Sequence, residues 1–191
     1  NETGDYGIRS QALFGEIYYE LTDTLKLTVG ARYTQDRKTI EDRQILFNND
    51  PVTGAPVLQP LGADLPIPTA TRRASNDWRE TTGRIVIDWS VTADTLAYAS
   101  LSRGYKGGGF NPPFDPVQFP SQKPDFAPEF VDALEIGTKN TLLDNTLQAN
   151  FSAFLYDYTD MQVSKIVNRT SFNENTDAQI WGGEAELVFA P

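Results

Sequence analysis

The stretch Leu25–Thr34, LKLTVGARYT, decides the fold. Read in steps of two, it puts Leu25, Leu27, Val29, Ala31 and Tyr33 on one face and Lys26, Thr28, Gly30, Arg32 and Thr34 on the other. That is the period of a β-strand with one apolar side. The same alternation runs through LQANFSAFLY (147–156), where Leu147, Ala149, Phe151, Ala153 and Leu155 share a face. It recurs in TGRIVIDW (82–89) and near the C-terminus, where Ala185, Leu187 and Phe189 oppose Glu184, Glu186 and Val188. Weaker versions at 11–21, 95–104 and 129–139 bring the total to about seven strands. Helical period is hard to find. Many of these strands approach the roughly 9–11 residues that a tilted strand needs to cross a bilayer.

The connections carry as much information. Those at 22–24, 90–94 and 140–146 are short, whereas those near 40–77, 105–127 and 164–177 are expected to be long loops. The first of the long ones contains Pro51, Pro56, Pro60, Pro66 and Pro68, which argue against regular structure there. Alternating short and long connections are the pattern of an outer-membrane barrel, with short periplasmic turns and long extracellular loops. Tyr18, Tyr19 and Trp89 fall near the short-turn ends, and Tyr33, Trp78, Tyr105, Phe110, Tyr156 and Tyr158 near the long-loop ends. Two such groups are expected of rings that prefer a membrane–water interface, although aromatics are also simply common in strands. Alternation alone leaves the apolar face free to point inward, as in a soluble carbohydrate-binding β-sandwich. The loop asymmetry, and polar faces rich in glycine, threonine, asparagine and charges of both signs, favour a wet lumen.

Composition narrows the function. The 191-residue chain carries a formal net charge of −10, which disfavours nucleic acid as a partner. It has no cysteine and no histidine. Disulfides, thiolate metal sites, Ser-His-Asp and Cys-His catalysis and a histidine ligand to haem are therefore all absent from it. No enzyme activity, cofactor or metal site is expected. No run of about 18 apolar residues is present, so no membrane-spanning helix is expected, which leaves a β-barrel open. The start at Asn1 without a signal peptide and the end within an apolar run suggest a piece of a longer protein.

The segment SRGYKGGGFNPP (102–113) lacks the G-x-x-x-x-G-K-[ST] spacing of a phosphate loop, and Pro112 and Pro113 follow it where a helix would be needed. Gly107, Gly108 and Gly109 instead suit the end of a strand, where the backbone bends. YASLSRGYKGGGFNPP resembles a motif in the barrel of TonB-dependent outer-membrane receptors. LFGEIYYELTDTLKLTVGARYTQDRK, FAPEFVDALEIGTKNTLLDNTLQANFSAFLYDYTDMQV and WGGEAELVFAP are similar to further segments of that family, in the same order. The resemblance implies a section, 1–191, of an antiparallel transmembrane β-barrel of 22 strands, whose plug domain and remaining strands lie outside this chain. It implies a Gram-negative outer-membrane location and contact with outer-membrane lipid. It further implies TonB-energised uptake, through the plug, of a scarce small-molecule ligand such as a ferric siderophore. A plug-free general porin is the alternative within the same class.

Tyr105, Lys106, Phe110 and Asn111 stand where a strand meets an external loop and are the expected ligand-facing residues. Arg32, Glu135 and Lys139 are the expected lumen charges, and in the receptor family inner-wall charges touch the plug. The carboxylate clusters Asp125–Glu135 and Glu174–Glu186 read as solvated or lumenal charge. NENTD (173–177) and NND (48–50) lack the spacing of a calcium loop, and the sequons at Asn150 and Asn168 read as chance matches.

Overall fold

A computed structural model of the chain describes residues 2–43, 45–49, 56–60, 72–114, 119–167 and 170–190. The strands are β1 (Glu2–Thr22), β2 (Leu25–Arg43), β3 (Ile45–Asn49), β4 (Pro56–Pro60), β5 (Arg72–Ser90), β6 (Thr95–Lys106), β7 (Gly109–Phe110), β8 (Asp125–Phe126), β9 (Glu129–Leu142), β10 (Leu147–Val167) and β11 (Thr170–Phe189). Seven of them form one sheet in the order β1-β2-β5-β6-β9-β10-β11, while β3–β4 and β7–β8 are separate two-stranded ribbons. Every pairing is antiparallel, so the sheet is a meander with open edges at β1 and β11.

Register follows the alternation. Ile17, Val29, Ile85, Leu101, Leu134, Leu155 and Trp181 lie directly across from one another in a single line spanning the sheet. Slipping any strand by one residue would replace its member of this row with a neighbour from the polar face. The row belongs to a face whose apolar side chains stand uncovered: Leu13 is 79% exposed, Ile17 71% and Trp181 78%. A soluble sandwich would bury such a face beneath a second sheet, and no second layer exists among the described residues. An apolar surface this continuous belongs against lipid, which removes the sandwich.

The band on this outward face is uniform in height but not level with the strand pairing. On β2 it comprises Leu25, Leu27, Val29, Ala31 and Tyr33; on β11 it comprises Trp181, Gly183, Ala185, Leu187 and Phe189. Each crossing is thus nine residues long. Trp181, however, aligns through the sheet with Val29, four residues below Tyr33. At ~3.3 Å per residue the band slips by ~13 Å, a drop taken up between β2 and β6, because from β6 onward its upper edge stays on the registered row of Leu101, Leu134, Leu155 and Trp181. A flat membrane cutting a tilted barrel wall produces such a slip, since barrel strands lean by roughly 35–45°.

The opposite face is polar and is shaped by glycine. Tyr98 lies across from Gly137, and its ring would stand 2.7 Å from a β-carbon there. Phe154 covers Gly182 in the same way. An inward aromatic folded over a cross-strand glycine fills the gap that the glycine leaves and pins the register.

Several expectations change. The strands run well past the membrane: β2 reaches Arg43, β5 starts at Arg72, and β10 and β11 extend to Val167 and from Thr170. Of the long loop expected at 40–77, residues 40–43 and 72–77 belong to the sheet strands and 45–49 and 56–60 to the β3–β4 ribbon, while that expected at 164–177 is strand at every described residue. Pro56 and Pro60 begin and end β4, because a two-stranded ribbon has a free edge that tolerates a residue without an N–H. Pro51, Pro66, Pro68, Asp50 of the NND triplet and the sequon residue Asn168 lie outside the described residues. Strand parity also redistributes the aromatic belts. Tyr19 and Trp89 face outward at the short-turn end and Tyr33 at the other, whereas Tyr18, Trp78, Tyr156 and Tyr158 share the polar face.

Placing a charge in the outward band should be costly, whereas a polar side chain on the inner wall should not be. Val29→Arg, at mid-band, is expected to destabilise the barrel by about 2–4 kcal/mol. Val86→Gln on the polar face should cost less than about 1 kcal/mol. Denaturant titration of the folded fraction in vesicles measures both.

Candidate functional site

Beyond the membrane band the chain folds back over its own inner face. β6 pairs with β5 only as far as Arg103 opposite Gly83, so the upper half of β5 lacks its neighbour, and the 107–128 connection closes over the space. The three glycines make this possible. A β-carbon on Gly108 would lie 2.4 Å from the Phe126 carbonyl oxygen and 2.8 Å from the Trp78 ring, and one on Gly109 would lie 2.6 Å from the Phe126 ring. Only a residue without a side chain permits β7 and β8 to approach this closely.

Polar side chains from both flanks tie the connection down. Lys38 Nζ donates to the Gly108 carbonyl at 2.6 Å and stands over the Trp78 ring at 5.7 Å. Burial pulls the Lys38 ammonium below its ordinary pKa, partly offset by Asp36. Arg72 holds Asp42 through two hydrogen bonds and donates onward to the carbonyls of Asn111 and Pro124. Asp42 is 3% exposed, so a buried carboxylate is held by a bidentate, partly exposed guanidinium that also ties down two carbonyls. From the opposite flank, Gln162 Nε2 donates to the carbonyls of Gly107 and Ala127, and Asn175 exchanges hydrogen bonds with the Ala127 backbone. Phe114, Phe119 and Phe172 pack edge-on and tilted at 5.3–6.2 Å, with Phe172 almost fully buried. The connection is thereby an anchored shelf spanning from β2–β5 to β10–β11.

Under the shelf lies a cavity of about 510 Å³. Its walls combine the rings of Trp78 and Phe126 with Asn76, Lys123, Asp125, Asp160, Asn173, Glu174 and Asn175. Asn76 donates to Asp125 at 3.1 Å, and Lys165 pairs with Glu174 at 2.8 Å, which holds the Glu174 carboxyl below its usual range. The three stretches expected from sequence to be long connections, near 40–77, 105–127 and 164–177, each contribute to this one cavity.

The residues singled out from sequence surround it without lining it. Asn111 is 1% exposed; its side chain donates to the carbonyls of Lys123 and Asn173 and accepts from the Asn173 N–H, so it is fully committed to holding the shelf. Phe110 lies opposite Asp125 in the β7–β8 ribbon. Tyr105 packs on Phe130 at 5.6 Å; burial, with the Asp36 carboxylate nearby, pushes its phenol far up. Lys106 is exposed and faces Glu129 at 3.7 Å. Sequence reading sets Trp78 among the interfacial aromatics and Asn173 in a stretch without calcium-loop spacing, and passes over Phe126 and Asp160; their meeting in one cavity escapes it because extended strands bring them together, where both faces are polar and no period marks them.

Lower down, the inner wall gathers the expected charges. Tyr98 donates to Glu135 at 2.6 Å, and Lys139 lies over the Tyr98 ring at 5.7 Å, so these two belong to one cluster with Glu184 and Glu186. Arg32 stands apart, over the Phe14 ring at 5.6 Å and beside the Glu16–Arg84 ion pair of 2.6 Å.

The comparisons with known proteins agree with this architecture. A family model described as "TonB dependent receptor-like, beta-barrel" matches residues 1–190. The pesticin receptors of Yersinia enterocolitica and Yersinia pestis are 26% identical to the chain over its whole length, and the chain spans about a quarter of theirs (25%). Among solved structures, the ferric yersiniabactin uptake receptor of Yersinia pestis superposes with a TM-score of 0.67 at 18% identity, covering 95% of this chain and 24% of that one. A copper transporter superposes with a TM-score of 0.68 at 19% identity, covering 98% of this chain and 28% of that one.

Loosening the shelf is the test of this geometry. Arg72→Met leaves Asp42 buried without a partner and is expected to cost about 3–5 kcal/mol locally. Gly108→Ala forces β7 away from β8. Each should speed protease cleavage within 107–128 and amide exchange at Asn111 and Asn173, with the membrane band unaffected; unchanged protection would contradict the anchoring described.

Proposed function

Because the chain belongs to the TonB-dependent receptor-like β-barrel family and is built as part of a Gram-negative outer-membrane barrel, we propose that it is one section of a receptor for TonB-dependent uptake of a ferric siderophore. The cavity beneath the 107–128 shelf carries this reading. At about 510 Å³ it falls within the range of small-molecule sites, and it pairs two aromatic rings with convergent amide and carboxylate groups. It sits at the extracellular end of the wall, where a ligand arriving from outside meets the protein first.

In this reading the section does no bond-making chemistry. Trp78, Phe126 and the polar groups around them bind and orient the ligand, while Lys38, Arg72 and Asn111 hold the shelf in place. Tyr105, Lys106 and Phe110 act at its rim. The charges of the lower wall, Arg32, Glu16, Arg84, Glu135 and Lys139, face a plug domain supplied by the rest of the protein, through which TonB transmits energy. Relatives and neighbours are consistent with this: the pesticin receptors are receptors by name, and the ferric yersiniabactin receptor imports an iron chelate.

Radioactive iron uptake by iron-starved cells tests the assignment. Deleting the gene should abolish TonB-dependent uptake of one ferric siderophore from a panel. Trp78→Ala in the intact receptor should raise the half-saturating concentration by about tenfold, as expected for losing an aromatic anchor. Unchanged uptake of every ferric siderophore in the deletion strain would overturn the cargo.

A further inference from the structure

The outward face of β1, β2 and β5 carries an arrangement that neither the barrel wall nor the cavity uses. Just above the apolar band, Gln11, Gln35 and Arg79 form one registered row, and Arg9, Arg37 and Asp77 form the next. Arg9 and Arg37 are directly opposed on the same face, and Arg9, Arg37 and Arg79 are all exposed. Like charges placed opposite each other destabilise a sheet. Among the described residues none of the three arginines forms an ion pair within 4.0 Å, although Asp77 lies across from Arg37.

Neighbouring charges on this face are arranged differently. Two rows further out, Arg73 is neutralised by Glu41 through two hydrogen bonds of 2.7 and 3.0 Å. On the far half of the sheet the first polar row above the band is Arg103, Asp132, Asp157 and Gln179, where Arg103 pairs with Asp132 at 3.0 Å. Among the described residues the excess of positive charge on this face, three arginines against the single Asp77 in the two rows, lies on β1, β2 and β5.

Height identifies what meets it. Arg79 is level with Gln35, two residues above Tyr33, and Arg37 lies two further. At ~3.3 Å per residue, the backbone of these rows stands ~7 and ~13 Å along the strand from the edge of the hydrocarbon. Arginine side chains lean back toward the interface from such positions. The polar headgroup layer is roughly 5–8 Å deep on each side of the bilayer. The three guanidinium groups therefore lie in or next to the headgroups of the outer leaflet. A guanidinium matches a phosphate with paired, parallel donors.

We propose that Arg9, Arg37 and Arg79 form a docking patch for the phosphate groups of outer-leaflet lipid headgroups, bridging β1, β2 and β5. A bound phosphate relieves the Arg9–Arg37 repulsion and holds the lipid against the Tyr33 and Leu13 side chains below. The patch is independent of which cargo the barrel carries.

The test uses the intact receptor in zwitterionic micelles, titrated with bisphosphorylated lipid A and with the same lipid after dephosphorylation. Bound lipid is counted by native mass spectrometry and barrel stability followed by heat-induced unfolding. The phosphorylated lipid should bind preferentially and raise the unfolding temperature. Affinity should fall roughly fivefold for each arginine changed to glutamine and about a hundredfold for all three. Arg37→Lys, which keeps the charge, should retain most of the binding, and the heat-induced unfolding of each lipid-free variant shows that it is folded. Equal binding of the two lipids, or an unchanged affinity in the triple variant, would overturn the patch. Equal protection by inorganic phosphate at the same phosphate concentration would overturn its assignment to lipid.

Discussion

Hydrocarbon offers no partner to a backbone N–H or C=O, and the rest of the molecule follows from that. A chain that crosses lipid must satisfy every such group within itself, which strands achieve by pairing. Once paired, the sheet has two surfaces with opposite requirements. The outward one must be apolar for the height of the hydrocarbon, and here it is so for nine residues on β2 and on β11 alike. The inward one is released from that demand and holds ion pairs, a tyrosine–glutamate hydrogen bond and aromatic rings folded over glycines.

The same division explains the shelf. Above the membrane neither face needs to be apolar, so the inner face can bind the chain's own 107–128 connection. The groups that secure it are those that would be intolerable in lipid: a buried Asp42 carboxylate held by Arg72, a lysine on glycine carbonyls and a buried asparagine with its hydrogen bonds complete. Glycines supply the close approach, and the phenylalanine cluster covers one end. The resulting cavity is shaped by contacts between segments almost a hundred residues apart in sequence, from Asn76 to Asn175.

How much of this was legible in the sequence follows from where a hydrophobic period exists. Within the membrane Leu27, Val29 and their partners alternate with polar residues, so strand identity and the face each residue takes, the polar face for Arg32, Glu135 and Lys139, could be read. Past Tyr33 the chain continues as TQDRKTIEDR, polar on both sides. No alternation survives there, and strands looked like loops. The ends of β10 and β11 were misread for the same reason, and with them the cavity. Asn111 was placed correctly at a strand–loop junction, but sequence could not distinguish a residue that faces a ligand from one locked into the shelf. That distinction depends on Asn173 and Lys123, which only the fold brings to it.

The central claim is that a tilted wall crosses a flat bilayer, so that the apolar band slips by four residues between β2 and β11. Because these 191 residues contain no cysteine, they contribute no background to single cysteines introduced among them. A scan along residues 25–39 and 173–189 of the reconstituted receptor, labelled with an environment-sensitive fluorophore and quenched from the lipid phase, measures the band directly. Quenching should appear at alternate residues only, ending at Tyr33 on β2 and at Trp181 on β11, a residue registered with Val29. Quenching at both parities, or an upper limit on the same registered row in both strands, would contradict the account.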